Sequence, residues 1–188
     1  MKSARILINV CTLLCLTAAA ASAAVVQPKN LTEMTRDADV VVLGTVTRQW
    51  SAWDTGKQFI WTHIEISVQE MWKGPNQNRV ILSEIGGMVD GIGMAAAGVP
   101  TYETGSRVVV FARRMPTGIL RTASLSLGKL DVIEAAGSPA YVRSTVDGLT
   151  TQAVPGAPHR TAAVVTSGTT LPDLRSRVSQ ILSAEGSK

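Results

Sequence analysis

Cysteine is the first scarcity. The 188 residues include two, Cys11 and Cys15, both near the start of the chain. Lys2 and Arg5 flank the beginning of an apolar run, Ile6 to Leu16, and Ala21-Ser22-Ala23 supplies the small residues that signal peptidase accepts. Residues 1–23 therefore read as a secretory signal peptide, too short for a stop-transfer helix with those flanks. Leu14 before Cys15 and Val10 before Cys11 do not suit lipid attachment. Once that segment is removed, residues 24–188 carry no thiol. This excludes disulfides, a thiol nucleophile and a cysteine metal site.

Histidine, charge and long apolar runs are scarce too. A metal site needs several converging His, Cys or carboxylate groups, and the chain offers only His63 and His159. His63 and Glu65 share one strand face at i, i+2, but that spacing equally describes two polar residues on the wet side of a sheet. No G-x-S-x-G elbow is present, so a serine hydrolase set would have to be assembled from scattered residues. The glycines at 86, 87, 91 and 93 lack the strand, tight turn and helix of a dinucleotide cradle. We expect no catalytic set, no metal and no cofactor. The formal charge of +4 includes Lys2 and Arg5, and what remains is too weak to argue for nucleic acid or acidic lipid. No run beyond residue 23 approaches a membrane span. The expected product is exported, periplasmic or extracellular, with no transmembrane span.

What the chain does have is alternation. In Trp61 to Pro75, Ile64, Ile66 and Val68 point one way, and His63, Glu65, Ser67 and Gln69 the other, as in a half-buried strand. Trp72 falls on the Ile64/Ile66 parity and is expected in the core. Lys73-Gly74-Pro75 ends the strand. Val40 to Val46 is apolar on both parities, the pattern of a central strand, with Gly44 marking a bulge or close approach. Asp54-Thr55-Gly56-Lys57 is a turn whose flanking strands should form an antiparallel hairpin. Further strands are expected over 79–85, 99–102, 107–112, 119–125, 130–133 and 141–146, with 86–98 a long Gly- and Ala-rich loop. Asn30 and Glu33 have capping-box spacing for a short helix. Leu174, Val178, Ile181 and Leu182 form one apolar stripe on a C-terminal helix. The organisation reads as 24–146 one mainly β domain, 147–170 a flexible linker, and 171–188 an amphipathic helix that folds back onto the domain or serves a partner.

Ala38 to Val46 has the form AD-V-V-x-G-x-V. A Trp-bearing hairpin follows, then the alternating strand and Met71-Trp72-Lys73-Gly74-Pro75, close to fKGP; Gly105 to Phe111 is similar to GxxYLIF. In this order the motifs, covering Leu31 to Ile133, resemble the netrin-like module shared with tissue inhibitors of metalloproteases, and secreted bacterial proteins with the same KG(P), GG and G-x-P pattern. The resemblance implies an OB-like antiparallel barrel of five to seven strands. Those inhibitors dock an N-terminal cysteine amine on the protease metal. Here the new N-terminus would be Ala24-Val25-Val26, so that route to inhibition does not transfer.

The most informative surface is aromatic. Trp50, Trp53 and Trp61 bracket the first hairpin, and Arg48 and Lys57 flank it. Tryptophan gives large apolar area at low entropic cost and arginine stacks on it. The leading expectation is a non-enzymatic module that binds a protein or glycan there; the same rings could instead close the barrel mouth. The alternatives are a hydrolase centred on His63 and Glu65, or a protease inhibitor using the 86–98 loop or the new N-terminus.

Overall fold

The computed structural model describes residues 29–144 and 168–186. The expected signal peptide, His159 and most of the expected linker lie outside these residues. The fold is mainly β, and its elements follow from valine-rich strands and two capped or amphipathic helices. Helix α1 (Leu31–Asp37) opens on the expected capping box: Asn30 Oδ1 accepts from Glu33 N–H at 2.9 Å, and Glu33 Oε2 accepts from Asn30 N–H at 2.9 Å. The strands are β1 (Val40–Trp53), β2 (Ile60–Lys73), β3 (Arg79–Ile85), β4 (Gly87–Val89), β5 (Ile92–Met94), β6 (Arg107–Arg114), β7 (Leu120–Thr122), β8 (Lys129–Ala135) and β9 (Ser138–Ser144). Helix α2 is Leu171–Gly186.

Seven strands form one sheet in the order β1-β2-β3-β7-β6-β8-β9, and β6 also pairs with β1. Pairing therefore runs β1–β2–β3–β7–β6 and returns to β1. Every pairing in this circuit is antiparallel except β3–β7, a parallel contact with a single register pair, Leu82↔Leu120. That exception corrects the expectation of a wholly antiparallel arrangement. A three-residue strand can offer only a short ladder.

The two-parity apolar strands carry two cores, one on each face. Val42, Val46, Ile64, Leu82, Val108 and Val110 belong to one buried cluster inside the circuit. Val41, Leu43, Val109 and Phe111 belong to the other, with Met34 of α1 and Leu174 and Val178 of α2. The C-terminal helix thus folds back onto the sheet, with Ile181 and Leu182 packing partly buried beside it. Lys73, from the Lys-Gly-Pro motif, donates to Thr35 O at 2.8 Å and Arg36 O at 3.0 Å. A cation on orphan carbonyls suits the end of a helix, so the motif fastens α1 to β2.

Several expectations shift. Trp72 packs against the helix-side cluster, whereas Ile64 and Ile66 lie in the other. Irregular pairing between Val41/Val42 and Leu43/Gly44 breaks strict parity at this end of the β1–β2 ladder. Val99–Tyr102 forms no strand, and the 86–98 loop contains the β4–β5 hairpin. The strand expected over 119–125 is only Leu120–Thr122, followed by a short 3-10 turn. Of the expected linker, residues 168–170 pair with β9: Val142 N–H donates to Thr169 O at 2.9 Å and Gly168 N–H to Val142 O at 3.1 Å.

Gly44 is a close approach, as its place in the strand suggested. A Cβ there would meet Ser67 O at 2.3 Å and Ile66 Cγ2 at 2.6 Å. Backbone cannot swing aside as a side-chain tip can. Gly44→Ala is therefore expected to part β1 from β2 and cost about 1–3 kcal/mol, read as a lower midpoint in urea unfolding.

Candidate binding surface

The aromatic surface depends on one extra residue in β1. Val46 pairs with Ile66, but Arg48 pairs with Glu65, so Thr47 is an unmatched bulge. A bulge reverses the parity of everything after it. Arg48, Trp50 and Ala52 consequently share the face of Glu65, His63 and Trp61, outside the circuit. Gln49, Ser51 and Trp53 follow the inner face of Ile64 and Thr62. Were Thr47 paired in regular register, Trp50 would continue the buried row of Val42 and Val46.

The hairpin that carries this surface is tightly fastened. Asp54 Oδ1 accepts from Gln58 N–H at 2.7 Å and Phe59 N–H at 3.2 Å, and Lys57 takes a left-handed conformation at φ 52°. On the outer face, the Trp50 and His63 ring centroids lie 5.2 Å apart at 32°. The Arg48 guanidinium carbon stands 4.9 Å from the Trp50 centroid. One row further, Arg121 from β7 stands 5.5 Å from the Trp61 centroid. Both contacts are within cation–π range. Arg48 is exposed and has no carboxylate partner among the described residues. Its cross-strand neighbour Glu65 accepts instead from Thr47 Oγ1 at 3.3 Å and lies 3.6 Å from Arg79.

Of the five candidate residues, the structure brings Arg48 and Trp50 into contact and puts Trp61 on the same face. Trp53 belongs to the opposite face, and Lys57 is exposed at the hairpin tip. All three tryptophans are half-buried. Arg121 was not legible, since only the β3–β7 junction carries it to Trp61.

His63 and Glu65 do not converge on a common point. His63 Nδ1 hydrogen-bonds Ser83 Oγ at 2.9 Å, and burial holds the imidazole below its ordinary value, which favours the neutral ring. Ser83 is only 6% exposed. No group of three or more His, Cys, Asp or Glu with metal-holding geometry occurs among the described residues.

On the inner side, Glu84 is 3% exposed. Its Oε1 accepts from Thr122 N–H at 2.6 Å and its Oε2 lies 3.4 Å from Arg121. Burial raises its pKa, opposed by the bonds from Thr122 and by the charge of Arg121. Tyr102 Oη and Thr122 Oγ1 are 2.7 Å apart, and burial pushes the Tyr102 phenol up. Nothing in the strand pattern marked Glu84, because an inward carboxylate looks like any polar residue at a strand end. Compared with known proteins, the chain matches no family model and no curated protein.

Proposed function

We propose that the protein is an exported, non-enzymatic module of OB-like barrel form. On this reading it holds a carboxylate-bearing segment of a partner protein on the outer face of β1, β2 and β3. The strand circuit that returns to β1 supports the barrel reading, together with the netrin-like motif order. The basic start, apolar run and small-residue site of residues 1–23 support export. The observation that carries the binding reading is Arg48, exposed, without a carboxylate partner among the described residues, and held 4.9 Å from the Trp50 ring. A stacked guanidinium keeps its in-plane donors for a carboxylate. A glycan stacking on the same rings would have to displace Arg48 from Trp50 and Arg121 from Trp61, so a protein segment fits better. The His63–Ser83 bond is the one feature favouring a hydrolase. Ser83 is covered, and Glu65 is committed to Thr47 and Arg79 rather than to His63.

Tryptophan emission tests the reading. A short glutamate-rich peptide should change the fluorescence of Trp50 at low salt, and the effect should fade as salt rises. A lysine-rich peptide should leave it unchanged. Arg48→Glu should weaken the acidic peptide about tenfold or more, by loss of a charged hydrogen bond. Unchanged binding by folded Arg48→Glu would overturn the proposal.

A further inference from the structure

A second, independent place for a ligand lies on the inner side of the same strands. A cavity of about 320 Å³ opens where β1, β2 and β3 meet the 86–102 loop. Its lining includes Gln49, Thr62, Ile64, Glu84, Met94 and Tyr102. This size falls at the lower end for small-molecule sites, and the mix of apolar wall and few polar groups is what such sites show.

The polar groups are unequal in what they have left to give. Thr62 Oγ1 donates to Gly86 O at 2.7 Å, so its proton is used. Gln49 Nε2 donates to Tyr102 O at 3.0 Å and reaches Thr104 Oγ1 at 3.4 Å. The Gln49 amide oxygen keeps no donor among the described residues. Glu84 Oε2 has only the 3.4 Å contact to Arg121, longer than a strong charge-assisted bond of about 2.7–2.9 Å. A carboxylate offers about four lone-pair sites; the Thr122 N–H, the Thr122 hydroxyl and Arg121 engage Glu84, which leaves about one for a further donor. The cavity therefore presents two acceptors, the Gln49 amide oxygen without a donor and a Glu84 carboxylate held by Thr122 and by Arg121, whose Nε lies outside the lining and keeps no partner among the described residues. A ligand must bring the donors and an apolar body.

We infer that this cavity is a binding site for a small amine: its ammonium lies on Glu84 and the Gln49 amide oxygen, and its hydrocarbon part lies against Ile64 and Met94. The site goes beyond the proposed outer surface and uses none of Arg48, Trp50 or Trp61, so either can fail without the other. An ammonium is favoured over a hydroxyl because a charged donor on a charged, buried acceptor makes the stronger bond.

Three ligands of one chain length decide it: hexylamine, hexan-1-ol and hexanoate, titrated into the protein by calorimetry. Hexylamine should bind about tenfold to a hundredfold more tightly than hexan-1-ol, the span of a charged hydrogen bond, and hexanoate should not bind. Glu84→Gln should abolish the preference for amine over alcohol. Ala96→Trp, a substitution on the exposed loop that lines the cavity, should fill the space and remove binding of both, with unchanged circular dichroism. If Glu84→Gln does not fold, the ligand series and Ala96→Trp still decide. Equal affinity for amine and alcohol, or hexylamine binding that survives in folded Ala96→Trp, overturns the inference.

Discussion

Phe111→Ala lowers the stability of the protein by about 3–5 kcal/mol, the usual cost of removing a fully buried ring. The ring is 0% exposed and lies in the layer between the sheet and the two helices. Its surroundings are poorly placed to collapse into the space. Gly128 already sits so close that a Cβ there would meet Ala123 O at 2.2 Å and Phe111 O at 2.9 Å. Ala123 N–H is bonded to Phe111 O at 2.8 Å, fixing the backbone on both sides. The melting temperature should fall by roughly 10 °C for a chain of this size. Helical ellipticity and tryptophan emission should still change together, because β1 and β6 each serve both cores. A helix signal that melts well before the tryptophan signal would contradict that coupling.

Glu84→Ala is expected to be as damaging, about 3–5 kcal/mol, for a different reason. β3 and β7 share one register pair, and the next backbone donor of β7, Thr122 N–H, finds its acceptor in the Glu84 side chain. The carboxylate substitutes for a missing ladder bond. Truncation leaves a buried N–H unsatisfied and takes from Arg121 the carboxylate it faces, and an orphaned buried group costs more than the mean bond contributes. Glu84→Gln retains an acceptor and should cost less. The pH dependence has a definite sign. A carboxyl whose folded pKa is raised binds more protons in the folded state than in the unfolded one. Its contribution is full below the unfolded value and is lost as pH rises through the folded value. The stability gap between wild type and Glu84→Gln should thus widen on moving from neutral pH toward acid, as followed by urea midpoints. A gap that narrows toward acid would sink this account.

Much of the framework was legible because it rests on short-range pattern. Val40 to Val46 announced a central strand by being apolar on both parities, and the structure gives each parity its own core. Asn30 and Glu33 announced their helix start, and Leu174, Val178, Ile181 and Leu182 an apolar stripe, whose docking on the sheet the pattern left open. The Asp54 turn and its antiparallel strands also followed from local chemistry. Reading failed where one residue changes the bookkeeping of a whole strand. Thr47 as a bulge decides that Trp50 faces outward and Trp53 does not, and no residue type signals it. Parity failed again near Trp72, where irregular pairing moves the ring to the helix side. Arg121 and Glu84 were missed because long-range topology alone brings them to Trp61 and Thr122. Only part of the aromatic candidate set survives as a surface: Arg48 and Trp50 in contact, Trp61 beside them.

The short run Gly168–Thr170 has a consequence for self-association. An outermost strand with free amides and carbonyls is a template on which another chain can extend the sheet. Here the protein lays its own backbone along that border of β9, through Val142 and the Tyr141↔Thr170 bridge. The segment entering α2 therefore does more than tether a helix. It shields that margin from intermolecular growth, so damage to this stretch would show first as aggregation at high concentration and only later as loss of fold.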